Sequence, residues 1–229
     1  MTRIIFCLPG DKFSSQFLIS WTNLMKACLD AGHTIAIAPG VSSHVAFARA
    51  KTLGYNVLSG PNQKPFQGQI PYDVIMMIDS DIVFTPEHFF TLLESPHDVT
   101  SGMYIMSDNK HFACVQNWDE DYFAKNGTFQ FLTPGAIAEF RATNPGTNYI
   151  QAHYSGLGWT MFKKGVLERL SYPPFFRPLE NIPTGKPDMP AIVDMSSEDV
   201  CLFKNLADAG VQCFLDTRVR VGHEKTFVV

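Results

Sequence analysis

The sequence has no cluster of basic residues and no apolar stretch long enough to cross a membrane. Asp and Glu (22) outnumber Lys and Arg (18), which gives a formal net charge of −4. Binding to a nucleic-acid backbone needs clustered cations, so we expect no nucleic-acid partner. A transmembrane helix needs about 20 consecutive apolar residues, so we expect no integral membrane segment.

Closely paired cysteines and a secretion leader are also missing. The five cysteines are scattered and odd in number, which predicts buried, reduced thiols rather than a disulfide framework. The amino terminus begins with a strand-like run and shows no signal-peptide pattern. Both observations predict a cytoplasmic protein.

Hydrophobic residues are abundant, at 45% of 229 residues, and they are arranged in regular patterns. In the first half, strand-like runs at 3–8, 34–38 and 73–78 alternate with helix-like segments that begin near 14, 41 and 85. This alternation predicts an α/β fold with a parallel sheet and right-handed crossovers.

The second half is less regular. We expect a strand at 99–106, a polar, aromatic and turn-rich stretch at 107–148 with short strands at 112–115 and 129–132, a short helix at 164–170, a helix from Ser197 and a strand at 211–215. The proline-rich segment 172–190 is long for a connection inside a compact domain, which predicts a functional or mobile loop.

Two aspartates, Asp79 and Asp81, close the strongly apolar run 74–78. Side chains alternate along a strand, so both carboxylates are expected on one face at its carboxyl end, where parallel sheets bind ligands. Two carboxylates there suit a hard divalent cation shared with phosphate oxygens. The pattern favours an enzyme that handles a nucleotide diphosphate, although taken alone it fits a surface turn equally well.

A second acidic pair, Glu198 and Asp199, opens the helix predicted from Ser197. A carboxylate near the positive end of a helix dipole is favoured in its ionised form, which a general base needs in order to take a proton from a hydroxyl. The alternative is ordinary helix capping. We assign Asp199 as the base, and Glu198 as a group that binds the acceptor or supports its neighbour.

A small-residue segment before a predicted strand supplies candidates for substrate binding. Gly156 and Gly158 allow a backbone to approach a ligand closely. Trp159 can stack on a sugar face or lie in the core, and His153 can line the site or be buried with a partner. Aromatic residues at 118–131 can shape an acceptor cleft or simply pack.

Five segments in this order resemble the GT-A-fold, nucleotide-sugar-dependent glycosyltransferases that carry a DxD motif and are family 2-like. They are VAFARA at 45–50, IMMIDSDIVF at 75–84, YSGLGWTMFK at 154–163, SEDVCLF at 197–203 and VRVGH at 219–223. Ala50 stands where that family usually has Asn.

The resemblance covers nearly the whole chain and implies one GT-A domain over 1–229. Its parts would be a Rossmann-like nucleotide-sugar half (1–106), a mixed central sheet flanked by helices, and an acceptor-binding and catalytic half (107–229). Because secretory relatives normally carry a membrane anchor, we expect a complete bacterial or virus-encoded enzyme, the alternative being an excised catalytic domain.

The resemblance also implies roles in metal binding. Asp81 would bind the metal directly. Asp79, with Ser80 between the two, would contact ribose or sugar hydroxyls or reach the metal through water. His223 would complete the coordination shell, the alternative being a solvated tail histidine. An imidazole ligand favours Mn²⁺ over Mg²⁺.

Further implied roles concern the nucleotide. Arg49 would contact the diphosphate or the base edge through its guanidinium fork, the alternative being a surface charge. Pro9 and Asp11 lie in the loop after the first strand, where this fold contacts the nucleobase, and Asp11 fits a turn residue equally well. The proline-rich segment would close over the donor as a lid.

Together these features predict a metal-dependent glycosyltransferase that moves a sugar from a nucleotide donor, a UDP-sugar first of all, to a hydroxyl of a glycan or other acceptor. We expect inversion, with Asp199 as the base. A retaining transferase of the same fold is one alternative, because the sequence does not fix where the acceptor sits.

Two other classes stay open. A sugar-1-phosphate nucleotidyltransferase would usually carry a Gly-rich, basic loop after the first strand, whereas residues 8–12 hold one Gly and one Lys. A non-catalytic glycan-binding module would have lost a metal or base residue, whereas Asp79, Asp81, Asp199 and His223 are all present.

Overall fold

The fold is described by a computed structural model for residues 1–225. The strands are, in chain order, β1 (Arg3–Pro9), β2 (Thr34–Gly40), β3 (Val74–Ile78), β4 (Ile82–Val83), β5 (Val99–Met103), β6 (Cys114–Val115), β7 (Tyr149–Ala152), β8 (Tyr154–Ser155), β9 (Trp159–Lys163), β10 (Glu180–Ile182), β11 (Ile192–Asp194), β12 (Cys213–Arg220) and β13 (Gly222–His223). The α-helices are α1 (Ser15–Asp30), α2 (Val45–Thr52), α3 (Pro86–Leu93), α4 (Glu120–Asn126), α5 (Pro134–Thr143) and α6 (Glu198–Asp208).

Within residues 1–225, seven strands form one central sheet in the order β2-β1-β3-β9-β5-β12-β7. β1 pairs in parallel with both β2 and β3. β9 runs antiparallel between β3 and β5, and β7 runs antiparallel to β12 at the edge. The predicted α/β fold with a mixed central sheet and flanking helices is confirmed.

Both faces of the sheet are covered, which explains the apolar runs in the sequence. All five residues of β3 are buried, as expected for a strand packed on two sides. Along β1, Ile5 and Cys7 join one buried cluster, and Ile4 and Phe6 join the other. The period of two along the strand therefore divides the core into two layers.

Several predictions for the second half are wrong. The stretch 107–148 contains two helices, α4 and α5, whose caps at Asp119 and Thr133 accept hydrogen bonds from the first turn. The predicted helix 164–170 is only a 3-10 turn at Leu167–Arg169. The predicted strand 129–132 is reduced to one bridge between Phe131 and Val115. The last sheet strand, β12, is longer than predicted.

The proline-rich segment is not wholly irregular, because β10 within it pairs antiparallel with β11. All five cysteines are buried, free thiols, as predicted. Among the helices of residues 1–225, none is both long and apolar enough to span a membrane.

The carboxyl ends of β1, β2 and β3 meet at one edge of the sheet, and glycines allow close contacts there. Gly10, with φ 129°, donates its N–H to the carbonyl oxygen of Gly40 at 2.9 Å. A Cβ atom on Gly40 would lie 2.3 Å from the carbonyl oxygen of Ala48 in α2. Helix α2 can therefore pack against the end of β2 only because residue 40 has no side chain.

Replacing Gly40 with Ala is expected to lower the free energy of unfolding by about 1–3 kcal/mol, because the added methyl group overlaps the helix. Gly146→Ala is the matched control, since a methyl group there meets no atom within 4 Å. Urea denaturation measures both variants. Equal stability of the two would contradict this account of the α2 contact.

Candidate functional site

A buried arginine, Arg49, joins two carboxylates at this edge of the sheet. Its side chain is 4% exposed. Nη2 donates to Asp79 Oδ2 at 3.1 Å, and Nε donates to Glu198 Oε1 at 3.1 Å. Nη1 lies 2.9 Å from Asp79 Oδ1, as an ion-pair contact that lacks hydrogen-bond geometry.

These contacts keep Arg49 charged. Burial disfavours the cation, but the charges of Asp79 and Glu198 and the hydrogen bond to Asp79 outweigh it and raise the pKa of Arg49 above its ordinary value. The three residues come from α2, from the end of β3 and from the start of α6. Arg49 is thus no free surface charge but a link between distant segments, and its contact with a diphosphate stays a prediction.

The two aspartates after β3 have different partners. β3 ends at Ile78, and the N–H of Ile82 donates to the Asp79 carbonyl at 3.2 Å, which makes residues 79–82 a turn. The strand alternation does not reach Asp81, so the expectation of two carboxylates on one strand face is corrected. Asp81 Oδ2 instead lies 3.1 Å from His223 Nε2 and 2.8 Å from Lys225 Nζ.

His223 reaches Asp81 because β13 pairs antiparallel with β4. Its Nδ1 lies 2.8 Å from the carbonyl oxygen of Ile105. A carbonyl can only accept, so Nδ1 carries a hydrogen atom and Nε2 faces Asp81. Burial alone would raise the pKa of Asp81, but the hydrogen bonds from His223 and Lys225 lower it to about 2.

Asp81 and His223 offer an oxygen and a nitrogen atom to a divalent cation. Within residues 1–225, no group of three or more His, Cys, Asp or Glu side chains is placed to hold a metal ion, and Asp79 faces Arg49. A hard cation can be held by one or two protein groups when substrate phosphates and water supply the other ligands. The residues therefore fit a cation that arrives with phosphates rather than a metal bound by protein alone.

A cavity of about 350 Å³, the donor cavity below, opens at the carboxyl edge of the sheet. It is lined by Pro9, Gly10, Ser42, Ser43, Val45, Ala48, Arg49, Asp79, Ser80 and Asp81. Five predicted residues, at positions 9, 49, 79, 80 and 81, thus border one cavity. Asp11 is exposed and lies outside this lining.

Sequence reasoning did not identify Ser42 and Ser43 as site residues. The available signal was their position directly after β2, at the same sheet edge as Pro9. Their hydroxyl groups can donate to the oxygen atoms of a bound anion.

Asp199, the second residue of α6, is held by hydrogen bonds. The phenol of Tyr154 donates to Oδ2 at 2.9 Å, and the hydroxyl of Ser197 donates to Oδ1. Burial, followed by the charge of Asp199, raises the pKa of Tyr154 well above its ordinary value, so Tyr154 stays a donor. Sequence reasoning included Tyr154 only in the segment 154–163 and did not link it to Asp199.

A second cavity of about 310 Å³, the aromatic cavity below, is lined in part by Tyr154 and Ser197, the two residues that donate to Asp199. Aromatic rings, the β10–β11 hairpin and the start of α6 line it, among them Trp118, Phe123, Phe129, Phe131, Tyr154, Glu180, Asp194, Ser197 and Lys204. The Trp118 and Phe129 ring centroids are 4.0 Å apart, and Lys204 Nζ lies 4.9 Å from the Trp118 centroid. Aromatic residues of 118–131 therefore do line a cleft.

The predicted substrate contacts of Trp159 and Gly156 are corrected. Trp159 is 0% exposed and packs against Phe84 with a 4.5 Å centroid distance, so a sugar cannot stack on it. A Cβ atom on Gly156 would lie 2.0 Å from the Tyr104 hydroxyl oxygen. Tyr104, rather than a ligand, occupies the space beside this glycine.

Gly158 and His153 also have other partners. Gly158 is buried, and a Cβ atom there would lie 3.1 Å from Asp79 Oδ2, so the glycine makes room for the carboxylate. His153 is exposed and its Nδ1 accepts the Trp118 N–H at 2.8 Å, which positions the aromatic segment. Neither residue belongs to the lining of the two cavities, and contact of either with a substrate stays a prediction.

Comparison with known proteins shows likeness only in structure, because no family model and no curated protein matches the sequence. A197 from STIV is 14% identical, with a TM-score of 0.51 over 100% of this chain and 97% of that one. GalNAc-T7, a GT-A glycosyltransferase solved with UDP, GalNAc and Mn²⁺, is 9% identical, with a TM-score of 0.53. That match covers 97% of this chain and 43% of the other, so this chain spans less than half of its length.

A third structure, the inositol-1-phosphate CTP transferase from T. maritima, is 9% identical with a TM-score of 0.40, over 99% of this chain and 90% of that one. Likeness at that TM-score carries no argument. At these identities the first two comparisons show the fold alone, which is consistent with a Rossmann-like GT-A-type fold.

Replacing Arg49 with Met is expected to lower the free energy of unfolding by about 3–5 kcal/mol, because two partly buried carboxylates lose their counter-ion. Arg3→Met is the matched control: Arg3 pairs with Asp73, but both side chains are about 40% exposed, and such a pair is worth at most about 1 kcal/mol. Chemical denaturation at neutral pH gives both values. A loss for Arg49→Met no larger than for Arg3→Met would contradict a structural role for this ion pair.

Proposed function

We propose that the protein is a glycosyltransferase that moves a sugar from a nucleotide donor, a UDP-sugar first of all, to a hydroxyl group of a glycan or other acceptor. The observation that carries the proposal is the ion pair of Arg49 with Asp79 and Glu198. It ties the donor cavity to the first turn of α6, whose next residue is Asp199. The UDP and Mn²⁺ bound to GalNAc-T7 support this choice of donor and metal.

The donor would lie in the donor cavity, outside the carboxyl ends of parallel strands, where such sheets bind ligands. The loop at Pro9 would contact the base, and Asp79 would accept hydrogen bonds from ribose or sugar hydroxyls. Asp81 Oδ2 and His223 Nε2 would hold the cation, Mn²⁺ in preference to Mg²⁺ because of the imidazole. The bound cation would offset the charge that builds on the departing diphosphate.

Asp199 would be the general base. It would take the proton from the acceptor hydroxyl as that oxygen attacks the anomeric carbon from the face opposite the diphosphate, which inverts the configuration. The hydrogen bonds from Tyr154 and Ser197 would hold the carboxylate in position. Glu198, bound to Arg49, would support the helix start and would not move a proton itself.

The acceptor would bind in the aromatic cavity. Its aromatic walls offer apolar faces, and its polar groups can bind hydroxyls, the combination found in many small-molecule sites. Residues 1–106 would thus serve the nucleotide sugar, and residues 107–229 would serve the acceptor and supply the base. The proline-rich segment was predicted as a lid over the donor; the β10–β11 hairpin, which includes part of it, would instead cover the acceptor side.

Donor binding can be tested by calorimetric titration of a nucleotide-sugar panel with Mn²⁺ present. We expect one donor to bind, chelator to abolish its binding, and Asp81→Asn to weaken it about tenfold or more, because the metal loses a carboxylate ligand. Asp98→Asn is the matched control, since Asp98 is exposed and lies outside the donor cavity. If no nucleotide sugar bound under any metal condition, the proposed function would be wrong.

The role of Asp199 can be tested by turnover once the donor is known. Asp199→Asn is expected to lower turnover about a hundredfold or more, because a general base is lost, while donor affinity stays unchanged. Release of the nucleoside diphosphate measures turnover, with Asp98→Asn again as the control. Normal turnover of Asp199→Asn would exclude this base, and a product with retained configuration by NMR would exclude inversion.

A further inference from the structure

Lys225 carries a positive charge at the place where a cation would bind. Its Nζ lies 2.8 Å from Asp81 Oδ2, and His223 Nε2 lies 3.1 Å from the same oxygen atom. The ammonium therefore uses the carboxylate oxygen that faces the imidazole, which is the oxygen a metal bound to both side chains would need.

The backbone places Lys225 there, so its position does not depend on a flexible side chain alone. The preceding residue, Glu224, donates its N–H to the Asp81 carbonyl at 2.8 Å, and its carboxylate accepts a hydrogen bond from the Ser14 hydroxyl. The Lys225 side chain is 35% exposed, whereas that of Lys26, in a surface ion pair, is 75% exposed.

The ammonium also has space to leave. Lys225 lines a cavity of about 530 Å³ together with His223, Ile105, Asn109 and Arg220. A displaced Lys225 side chain can move into this cavity. Movement of Lys225 would thus free Asp81 while His223 stays in place.

We propose that Lys225 competes with the metal ion for Asp81, so that the cation binds tightly only together with the nucleotide diphosphate. This inference rests on the proposed function. Without donor, a divalent cation at Asp81 must displace an ammonium or bind beside it, and either is unfavourable between like charges. With donor, the diphosphate supplies further oxygen ligands to the cation, and its negative charge offsets the repulsion between the cation and Lys225.

The competition makes the metal and the nucleotide depend on each other. A ligand that releases Asp81 from Lys225 raises the affinity for Mn²⁺, and by reciprocity Mn²⁺ raises the affinity for that ligand by the same factor. Lys225 thus couples the binding of the metal ion to the binding of the nucleotide, and no chemical step is assigned to it.

The test is a titration of Mn²⁺ alone, followed by electron paramagnetic resonance of the free ion, on four proteins: the unaltered chain, Lys225→Met, Lys64→Met and Asp81→Asn. Lys64 is exposed and lies outside both the donor cavity and the cavity lined by Lys225 and His223, so its variant controls for the loss of one charge. We expect Lys225→Met to bind Mn²⁺ about tenfold more tightly than the unaltered chain. Lys64→Met should change little, and Asp81→Asn should lose binding.

A second titration with UDP present measures the coupling between nucleotide and metal. The factor by which UDP strengthens Mn²⁺ binding should be smaller in Lys225→Met than in the unaltered chain. Equal or weaker Mn²⁺ binding by Lys225→Met would overturn the competition, and if Asp81→Asn still weakened donor binding, the proposed function would stand. If neither Mn²⁺ nor UDP bound to any of the four proteins, both proposals would fail.

Discussion

Arg49, held between Asp79 and Glu198, is the interaction on which the geometry of the site depends. Its side chain is 4% exposed, and taking a guanidinium out of water is costly unless carboxylates and hydrogen bonds compensate for the lost hydration. Asp79 follows β3, whereas Glu198 begins α6. The contacts of Arg49 with these two carboxylates compensate the buried cation and also join two distant parts of the chain. The donor cavity and the helix that carries Asp199 are therefore held in one arrangement before any ligand binds. The missing side chain of Gly158 leaves room for the Asp79 carboxylate, since a Cβ atom there would lie 3.1 Å from Asp79 Oδ2.

The two aspartates after β3 have different electrostatic surroundings, although only one residue separates them. Asp79 pairs with a cation that is buried and always charged. Asp81 is 40% exposed and pairs with a histidine and a lysine, both on the last segment described. A buried pair resists exchange, because breaking it leaves an uncompensated charge, whereas a more exposed pair exchanges at little cost. Asp79 is consequently suited to keep the site in a fixed geometry, whereas Asp81 is the carboxylate that can exchange its partners.

Local signals in the sequence predict the first half of the fold and the location of the site, but not the partners within it. Apolar runs bounded by Pro and Gly identify β1, β2 and β3, and parallel strands place Asp79 and Asp81 at a ligand-binding edge. Spacing cannot show that Arg49 meets Glu198, which is 149 residues away. The expectation that Asp79 and Asp81 lie on one strand face failed because β3 ends at Ile78 and the chain then turns. The alternation of side chains along a strand therefore does not reach Asp81. The sequence around Trp159 does not distinguish a core aromatic ring from one that stacks on a sugar, because only burial in the tertiary structure decides between the two.

Helix α6 connects the donor cavity to the aromatic cavity. Its first residue, Glu198, contacts Arg49, and its second, Asp199, accepts from Tyr154, whose ring lines the aromatic cavity. Two turns further on, Lys204 lies over Trp118 and pairs with Glu180 of the hairpin at 3.1 Å. A shift of α6 would therefore move Asp199, the ion pair of Glu198 with Arg49 and the Lys204 contacts of the aromatic cavity together. Since packed helices move as rigid bodies, a ligand that fixed one of these contacts would also restrain the other two, so that ligands in the two cavities would influence each other's binding.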